Sequence, residues 1–297
     1  MRIYKAGKVD FSRRRPYKTP MNQLGPSGRP FLKMHGAGND FVVLDARTRP
    51  WQIDGDAARQ IADRRTGIGC DQLIVVGPGR QPGADAFMSI FNPDGSEVAA
   101  CGNATRCVAW MLMGESGADR ATIETHAGLL SARAAGDNRV TVDMGPARLE
   151  WDQIPLAQAI DTLHLPVSAG RLTDPVGVGM GNPHAVFFVL DAEAVPLAEL
   201  GPKLEHDPLF PERCNIEAAQ ILNDGRIRMR VWERGAGITL ACGTGACATL
   251  VAAARRGLTG RKADVILDGG MLTIEWLENN HVMMTGPVAL AFSGMLP

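Results

Sequence analysis

Between Phe31 and Asp45 two apolar runs flank a glycine-rich break, Phe31-Leu-Lys-Met before it and Phe41-Val-Val-Leu after it, which predicts two strands joined by a tight loop carrying Asn39. A short helical pattern follows over Gly55 to Arg65, with Ala57, Ala58 and Ile61 apolar. Gly67 to Cys70 then turns into an apolar strand with Gln72 near its start, and Ala86 to Phe91 reads as another strand that delivers Asn92 to a Pro-Asp-Gly turn. After Cys101 the period changes to that of a helix: Ala104, Cys107, Val108, Met111 and Leu112 recur on one face, with Asn103 as the expected N-cap and Gly114 as the expected stop. Ala121 to Val142 alternates like antiparallel strands, turning at Gly128 and Asp137-Asn138, and residues 150 to 172 read as a Pro-containing crossover.

The series then repeats. Gly181-Asn182 leads into an apolar run as Gly38-Asn39 does, 143 residues later; Gly270-Met-Leu-Thr follows Gly128-Leu-Leu-Ser by 142, and Gly286-Pro287 follows Gly145-Pro146 by 141. Cys242-Gly-Thr lies 141 after Cys101-Gly-Asn, and behind it Cys247, Leu250, Val251 and Ala254 keep helical spacing, with Thr244 as the expected N-cap and Gly257 as the stop. Four correspondences in one order at nearly one spacing imply duplication of a single α/β unit. The same offset pairs polar positions: Asn39 with Asn182, Gln72 with Asn215, and Asn92 with Glu233.

Each repeated cysteine is thus expected just ahead of a helix, where free amide N–H groups and the helix dipole favour an anion and lower a thiol's pKa. Taken alone, either cysteine reads as a small apolar filler beside glycine; the second copy favours chemistry. Two like thiols facing one another across a cleft supply what inversion of a carbon needs, one sulfur removing a proton as thiolate and the other returning one as thiol. This pattern points to a racemase or epimerase without a metal. His184, ahead of an apolar strand, is read either as structural or as a site residue, and Glu233-Arg234 either as a surface ion pair or as ligand contacts, with Arg234 suited to grip a carboxylate.

Composition narrows the alternatives. The 297 residues suffice for two domains, and 45% apolar content suffices for their cores. Aromatics are 5% and the net charge is −1, which argues against nucleic-acid and membrane partners. Six cysteines (70, 101, 107, 214, 242 and 247) without a secretory signal, a Cys-x-x-Cys pair or closely spaced histidines fit reduced thiols in the cytoplasm, with no metal. Cys70 and Cys214 read as core. Residues 1–30 carry eight Lys or Arg against one acid and are expected to be either a basic, disordered leader or the product of a wrongly assigned start, with Met21 and Met34 as the other candidates. The body then divides into residues 31–155 and 156–297, with terminal strands crossing between them.

The stretches Lys-Met-His-Gly-Ala-Gly-Asn-Asp-Phe41, Asn-Pro-Asp-Gly-Ser-Glu97 with Ala-Cys-Gly-Asn103, Gly-Asn-Pro-His184, and Glu-Arg-Gly-Ala-Gly237 with Ala-Cys-Gly-Thr-Gly-Ala-Cys247 resemble those of the diaminopimelate epimerases. The likeness runs from about Phe31 to Pro297. It implies an α+β fold of two pseudo-symmetric halves, each a mostly antiparallel or mixed sheet wrapped around a central helix, with the active site in the cleft between them. It further implies interconversion of LL- and meso-diaminopimelate without pyridoxal phosphate or another cofactor, for lysine and cell-wall synthesis, in a homodimer. Lys33, Lys203 and Lys262 sit in no recognisable pyridoxal-phosphate motif.

Carried onto this sequence, the resemblance makes Cys101 and Cys242 the acid–base pair and His184 and Glu233 the groups that tune them. It makes Asn39, Gln72, Asn92, Asn182, Asn215, Glu233 and Arg234 the substrate-holding set, with Gly102-Asn103 and Gly243-Thr244 cradling the reacting carboxylate. The sequence departs from the family at Ile238, where many members carry Glu, and at Ala104-Thr105, where Gly-Ala is more usual. Alternatives are a proline or hydroxyproline racemase of the same fold, or a thiol redox sensor or small-ligand binding protein.

Overall fold

The computed structural model describes residues 28–296. Most of the basic leader, residues 1–27, lies outside them. The first strand begins at Arg29, two residues ahead of the expected start, because Arg29 and Pro30 pair with the far end of the chain and the Arg29 guanidinium stacks 4.6 Å from the Trp51 ring.

The first half comprises β1 (Arg29–Gly36), β2 (Asn39–Asp45), α1 (Gly55–Ala62), β3 (Gln72–Gly77), β4 (Ala86–Phe91), β5 (Glu97–Val98), α2 (Gly102–Ser116), β6 (Arg120–Thr125), β7 (Gly128–Ala134) and β8 (Arg139–Pro146). The crossover holds two short strands, β9 (Ser168–Ala169) and β10 (Leu172–Thr173). The second half comprises β11 (Val176–Gly179), β12 (Pro183–Phe188), α3 (Leu197–Glu205), β13 (Asn215–Ile221), β14 (Ile227–Glu233), β15 (Gly237–Ile238), α4 (Gly243–Arg255), β16 (Lys262–Leu267), β17 (Gly270–Trp276) and β18 (His281–Pro287), and β19 (Ala289–Leu296) closes the chain.

The duplication is visible in the pairing. In each half the second and third strands run parallel (β2 with β3, β12 with β13), a second parallel pair flanks the helix in sequence (β4 with β6, β14 with β16), and the remaining partners are antiparallel. The halves meet where β8 and β18 pair antiparallel, Val142 opposite Met284 and Thr141 opposite Thr285. Beyond that seam the chain ends exchange. β19 lies antiparallel on β1 of the first half, while Arg148, just past β8, bridges to Gly179 of β11 in the second.

The helices α2 and α4 are each wrapped by their own half's sheet, which is why they are apolar on nearly every side rather than along one stripe. Cys107, Val108, Met111 and Leu112 join one core, and Cys247, Leu250 and Val251 the other. Cys70 and Cys214 are also buried. Among the described residues no helix is long and apolar enough to cross a membrane.

Candidate active site

The two helices start earlier than N-cap propensity suggests. Cys101 and Cys242 themselves occupy the N-cap positions, and Gly102 and Gly243 open the helices. The reason is packing: a Cβ on Gly102 would lie 2.6 Å from Met284 Cε and 2.8 Å from Met144 Cε, and one on Gly243 3.0 Å from Met284 Sδ. Both helix starts therefore close over the same methionine. Asn103, freed from capping, is buried, and its amide donates to the carbonyl of Ala241 at 3.4 Å and to Asn39 Oδ1 at 3.3 Å. This contact ties the first turn of α2 to the residue preceding Cys242. At the other end α2 runs through Gly114 to Ser116 and stops at Gly117, which takes the left-handed conformation at φ 73°.

Around Cys101 the sulfur lies 4.0 Å from Asn39 Oδ1. Asn39 follows Gly38, whose φ of 84° makes the turn between β1 and β2, and its amide donates to Asp71 at 3.1 Å. Sequence reasoning missed the network behind that loop. Arg64 bonds both Asp40 and Asp71, and Lys33 pairs with Asp40. Burial pushes the Asp40 carboxyl up, but hydrogen bonds from Arg64 and Lys33 outweigh it and hold the carboxyl well below the usual range. Gln72 opens β3 and donates to Asn92 Oδ1 at 3.2 Å, while Gln72 Oε1 is buried without a partner among the described residues.

Around Cys242 the sulfur accepts from the Gly245 amide at 3.3 Å and lies 3.5 Å from the Thr244 hydroxyl. Glu233 ends β14 with its carboxylate facing both the Thr239 hydroxyl and the Cys242 thiol. Asn215 opens β13; it accepts from the Arg234 amide at 2.9 Å and donates to the Pro183 carbonyl at 3.0 Å. The Arg234 side chain is exposed, its guanidinium donating to the Glu212 carbonyl. His184, fully buried, contacts Asn182 Oδ1 through Nε2 at 3.0 Å and Glu217 Oε1 through Nδ1 at 2.6 Å.

Glu217 is a site residue that the sequence reading missed, although the repeat carried the signal. His184 faces Asn215 across the parallel pair as Phe41 faces Gln72, and Glu217 stands two residues along β13 where Ile74 stands along β3. Phe41 and Ile74 are fully buried apolar residues. One half thus keeps a hydrophobic pair where the other keeps an ionisable pair, and the Glu217 carboxylate reaches the start of α4: a Cβ on Gly245 would lie 2.8 Å from its Oε1.

The helix starts do not lower the thiols in the substrate-free protein, contrary to the expectation from position alone. Burial dominates and pushes Cys101 up to about 11, opposed by the amides of Ala104 and Asn103. Burial also pushes Cys242 up, aided by the Glu233 and Glu217 carboxylates and opposed by Thr244 and Gly245. A thiol far below its pKa gains thiolate about tenfold per pH unit. Alkylation of Cys101 by iodoacetamide should therefore climb about tenfold per pH unit from pH 7 to 10, read by peptide mass spectrometry; a plateau below pH 8 would contradict burial as the dominant effect.

The chain has an α+β fold of two pseudo-symmetric halves, with paired cysteines at equivalent helix starts. Solved structures carry the same fold. A probable proline racemase from Agrobacterium radiobacter superposes with a TM-score of 0.65 at 18% identity, covering 91% of this chain and 93% of its own. A hydroxyproline epimerase from Agrobacterium vitis superposes with a TM-score of 0.63 at 17% identity, covering 91% and 92%. The family model for diaminopimelate epimerase matches residues 31–150 and 176–291, and the chain belongs to that family. Diaminopimelate epimerases of Rhodospirillum centenum and Acidiphilium cryptum are 67% and 58% identical to it, covering 90% and 91% of this chain and 92% and 97% of theirs. The proline and hydroxyproline enzymes share the fold at far lower identity, so the diaminopimelate reading takes precedence over that alternative.

Proposed function

We propose that Cys101 and Cys242 are the two acid–base groups that interconvert LL- and meso-diaminopimelate. One thiolate takes the α-proton from one face, and the opposite thiol protonates the other face. The observation that carries this reading is the Asn103 to Ala241 hydrogen bond, which holds two equivalent cysteine-capped helix starts against each other. The amides of Gly102-Asn103 and Gly243-Thr244 would receive the carboxylate at the reacting carbon, where charge builds as the proton leaves. Asn39, Gln72, Asn92, Asn182, Asn215, Glu233 and Arg234 would hold the rest of the substrate; the unpartnered Gln72 Oε1 is an acceptor suited to an ammonium group. His184 and Glu233 would tune Cys242, with the Glu233 carboxylate positioned to accept its proton.

The remaining expectations belong to the same reading. The halves, residues 31–155 and 156–297, would close on substrate and exclude water. The protein would work in the cytoplasm as a homodimer; among the described residues β19 pairs with β1 alone and exposes Phe292 and Met295, a surface fit for a second copy. The test is solvent deuterium incorporation by the reduced protein acting on LL-diaminopimelate. Label at one α-carbon together with the meso isomer is expected, whereas an intact, reduced protein that exchanges nothing would remove diaminopimelate as the substrate.

A further inference from the structure

Glu205 is the last residue of α3, and its side chain is buried. Both conditions disfavour a carboxylate: burial strips away its water, and the C-terminal end of a helix already carries negative charge. The partners that compensate lie on the turn after β14. The Trp232 indole Nε1 donates to Oε2 at 2.8 Å and the Gly235 amide donates to Oε1 at 3.0 Å, while Arg213 Nη1 lies 3.8 Å from Oε1. One carboxylate thus grips the residue before Glu233 and the residue after Arg234. The helix comes close enough for this because of Gly201, where a Cβ would lie 2.5 Å from Trp232 Cδ2.

The turn needs such a grip. Arg234, Gly235 and Ala236 are exposed between β14 and β15, and the hairpin closes on itself where the Ala236 amide donates to the Glu233 carbonyl at 3.1 Å. Asn215 anchors the turn on β13 through the Arg234 amide, and Glu205 anchors it on α3. The first half holds the matching turn with different chemistry. α1 stands between the second and third strands there as α3 does in the second half, and Arg59 of α1 donates to the Asp94 carbonyl at 2.9 Å. Asp94 and Gly235 are equivalent at the offset that relates Cys101 to Cys242. In both halves this helix therefore secures the turn that carries the matched polar position, Asn92 in one and Glu233 in the other. An exposed arginine does so in the first half and a buried acid in the second.

We propose that Glu205 is a positioning residue for substrate binding: by holding the turn from Trp232 to Gly235 with both carboxylate oxygens, it sets the place from which Arg234 reaches the substrate. The inference rests on the reading of Arg234 as a substrate contact. Glu205→Gln keeps the size of the side chain but leaves one acceptor oxygen for two donors, and its NH2 group then faces the second donor. The turn is released on one side while the helix and its packing stay in place.

The experiment measures kcat and KM for LL-diaminopimelate in the wild type, Glu205→Gln, Arg234→Ala and the double variant, with thermal melts to show that each is folded. Glu205→Gln should raise KM about tenfold, the effect of one hydrogen bond to a charged group, and change kcat less than KM. Arg234→Ala should raise KM at least as far, and in its background Glu205→Gln should add nothing, because residues that act through one contact are not additive. A folded Glu205→Gln with wild-type KM overturns the proposal, as do KM effects that multiply in the double variant. Should Glu205→Gln fail to fold, Trp232→Phe removes one donor to the carboxylate and keeps an aromatic ring; it should raise KM severalfold, and an unmoved KM overturns the proposal. Arg234→Ala with wild-type KM would instead sink the reading of Arg234 as a substrate contact, so the two failures are distinguishable.

Discussion

Cys101→Ala and Cys242→Ala should each slow the conversion of LL- to meso-diaminopimelate by roughly 10² to 10⁴-fold, the range a positioned acid or base contributes. In the two-thiol reading inversion at one carbon uses both groups in every turnover, so loss of either sulfur should stop the same reaction and the double variant should fall little further. The two variants should differ in stability. The Cys242 sulfur accepts the Gly245 amide as a helix cap, whereas Cys101 makes no side-chain cap bond. Cys242→Ala should therefore lose up to about 1 kcal/mol, as for other N-cap replacements, and Cys101→Ala almost nothing. Chiral chromatography and thermal melts read the two effects separately. Wild-type inversion in either variant would eliminate that cysteine as acid or base.

Glu217→Ala should carry the largest stability cost of any change near the site, about 3 kcal/mol, because it removes one member of a fully buried hydrogen-bonded pair and leaves His184 Nδ1 facing a cavity. Burial pushes the Glu217 carboxyl up, and the charge and hydrogen bond of His184 offset part of that rise. What the variant loses is thus mainly a buried hydrogen bond together with its packing. Glu217→Gln retains an acceptor for His184 at nearly the same volume and should recover most of the stability. It should still alter the Cys242 alkylation profile, since a carboxylate that opposes ionisation of that thiol is gone. Denaturant melts of the two variants decide the matter, and a Glu217→Ala protein as stable as wild type would show that the pair contributes no net stability.

The sequence made the duplication legible because glycines and amides must recur wherever a turn or a strand start recurs. Asn39 opens β2 and Asn182 directly precedes β12, Gln72 and Asn215 open β3 and β13, and Asn92 directly follows β4 where Glu233 ends β14. Propensity alone places the helix starts two residues late because Asn103 and Thr244 are strong capping residues. Contact with Met284 instead draws Gly102 and Gly243 into the helices, and Asn103 becomes a cross-link. Thiol ionisation was misjudged because a sequence shows proximity to a helix end and not the burial that outweighs it. Glu217 escaped notice because a lone glutamate in a strand resembles a surface residue; its meaning emerges only beside Ile74, its apolar counterpart.

The exchange of chain ends also bears on how the protein is made. Among the described residues β1 leaves the ribosome before every other strand and β19 after them, yet they pair along nearly their whole length, from Arg29 opposite Leu296 to His35 opposite Ala289. During synthesis the amino-terminal half therefore waits with one edge of its sheet unpaired until β19 has emerged, and contacts of such long sequence separation slow folding. A nascent chain arrested after β8 would expose that edge to other nascent chains, which places the greatest need for chaperone shielding in the interval before β19 emerges.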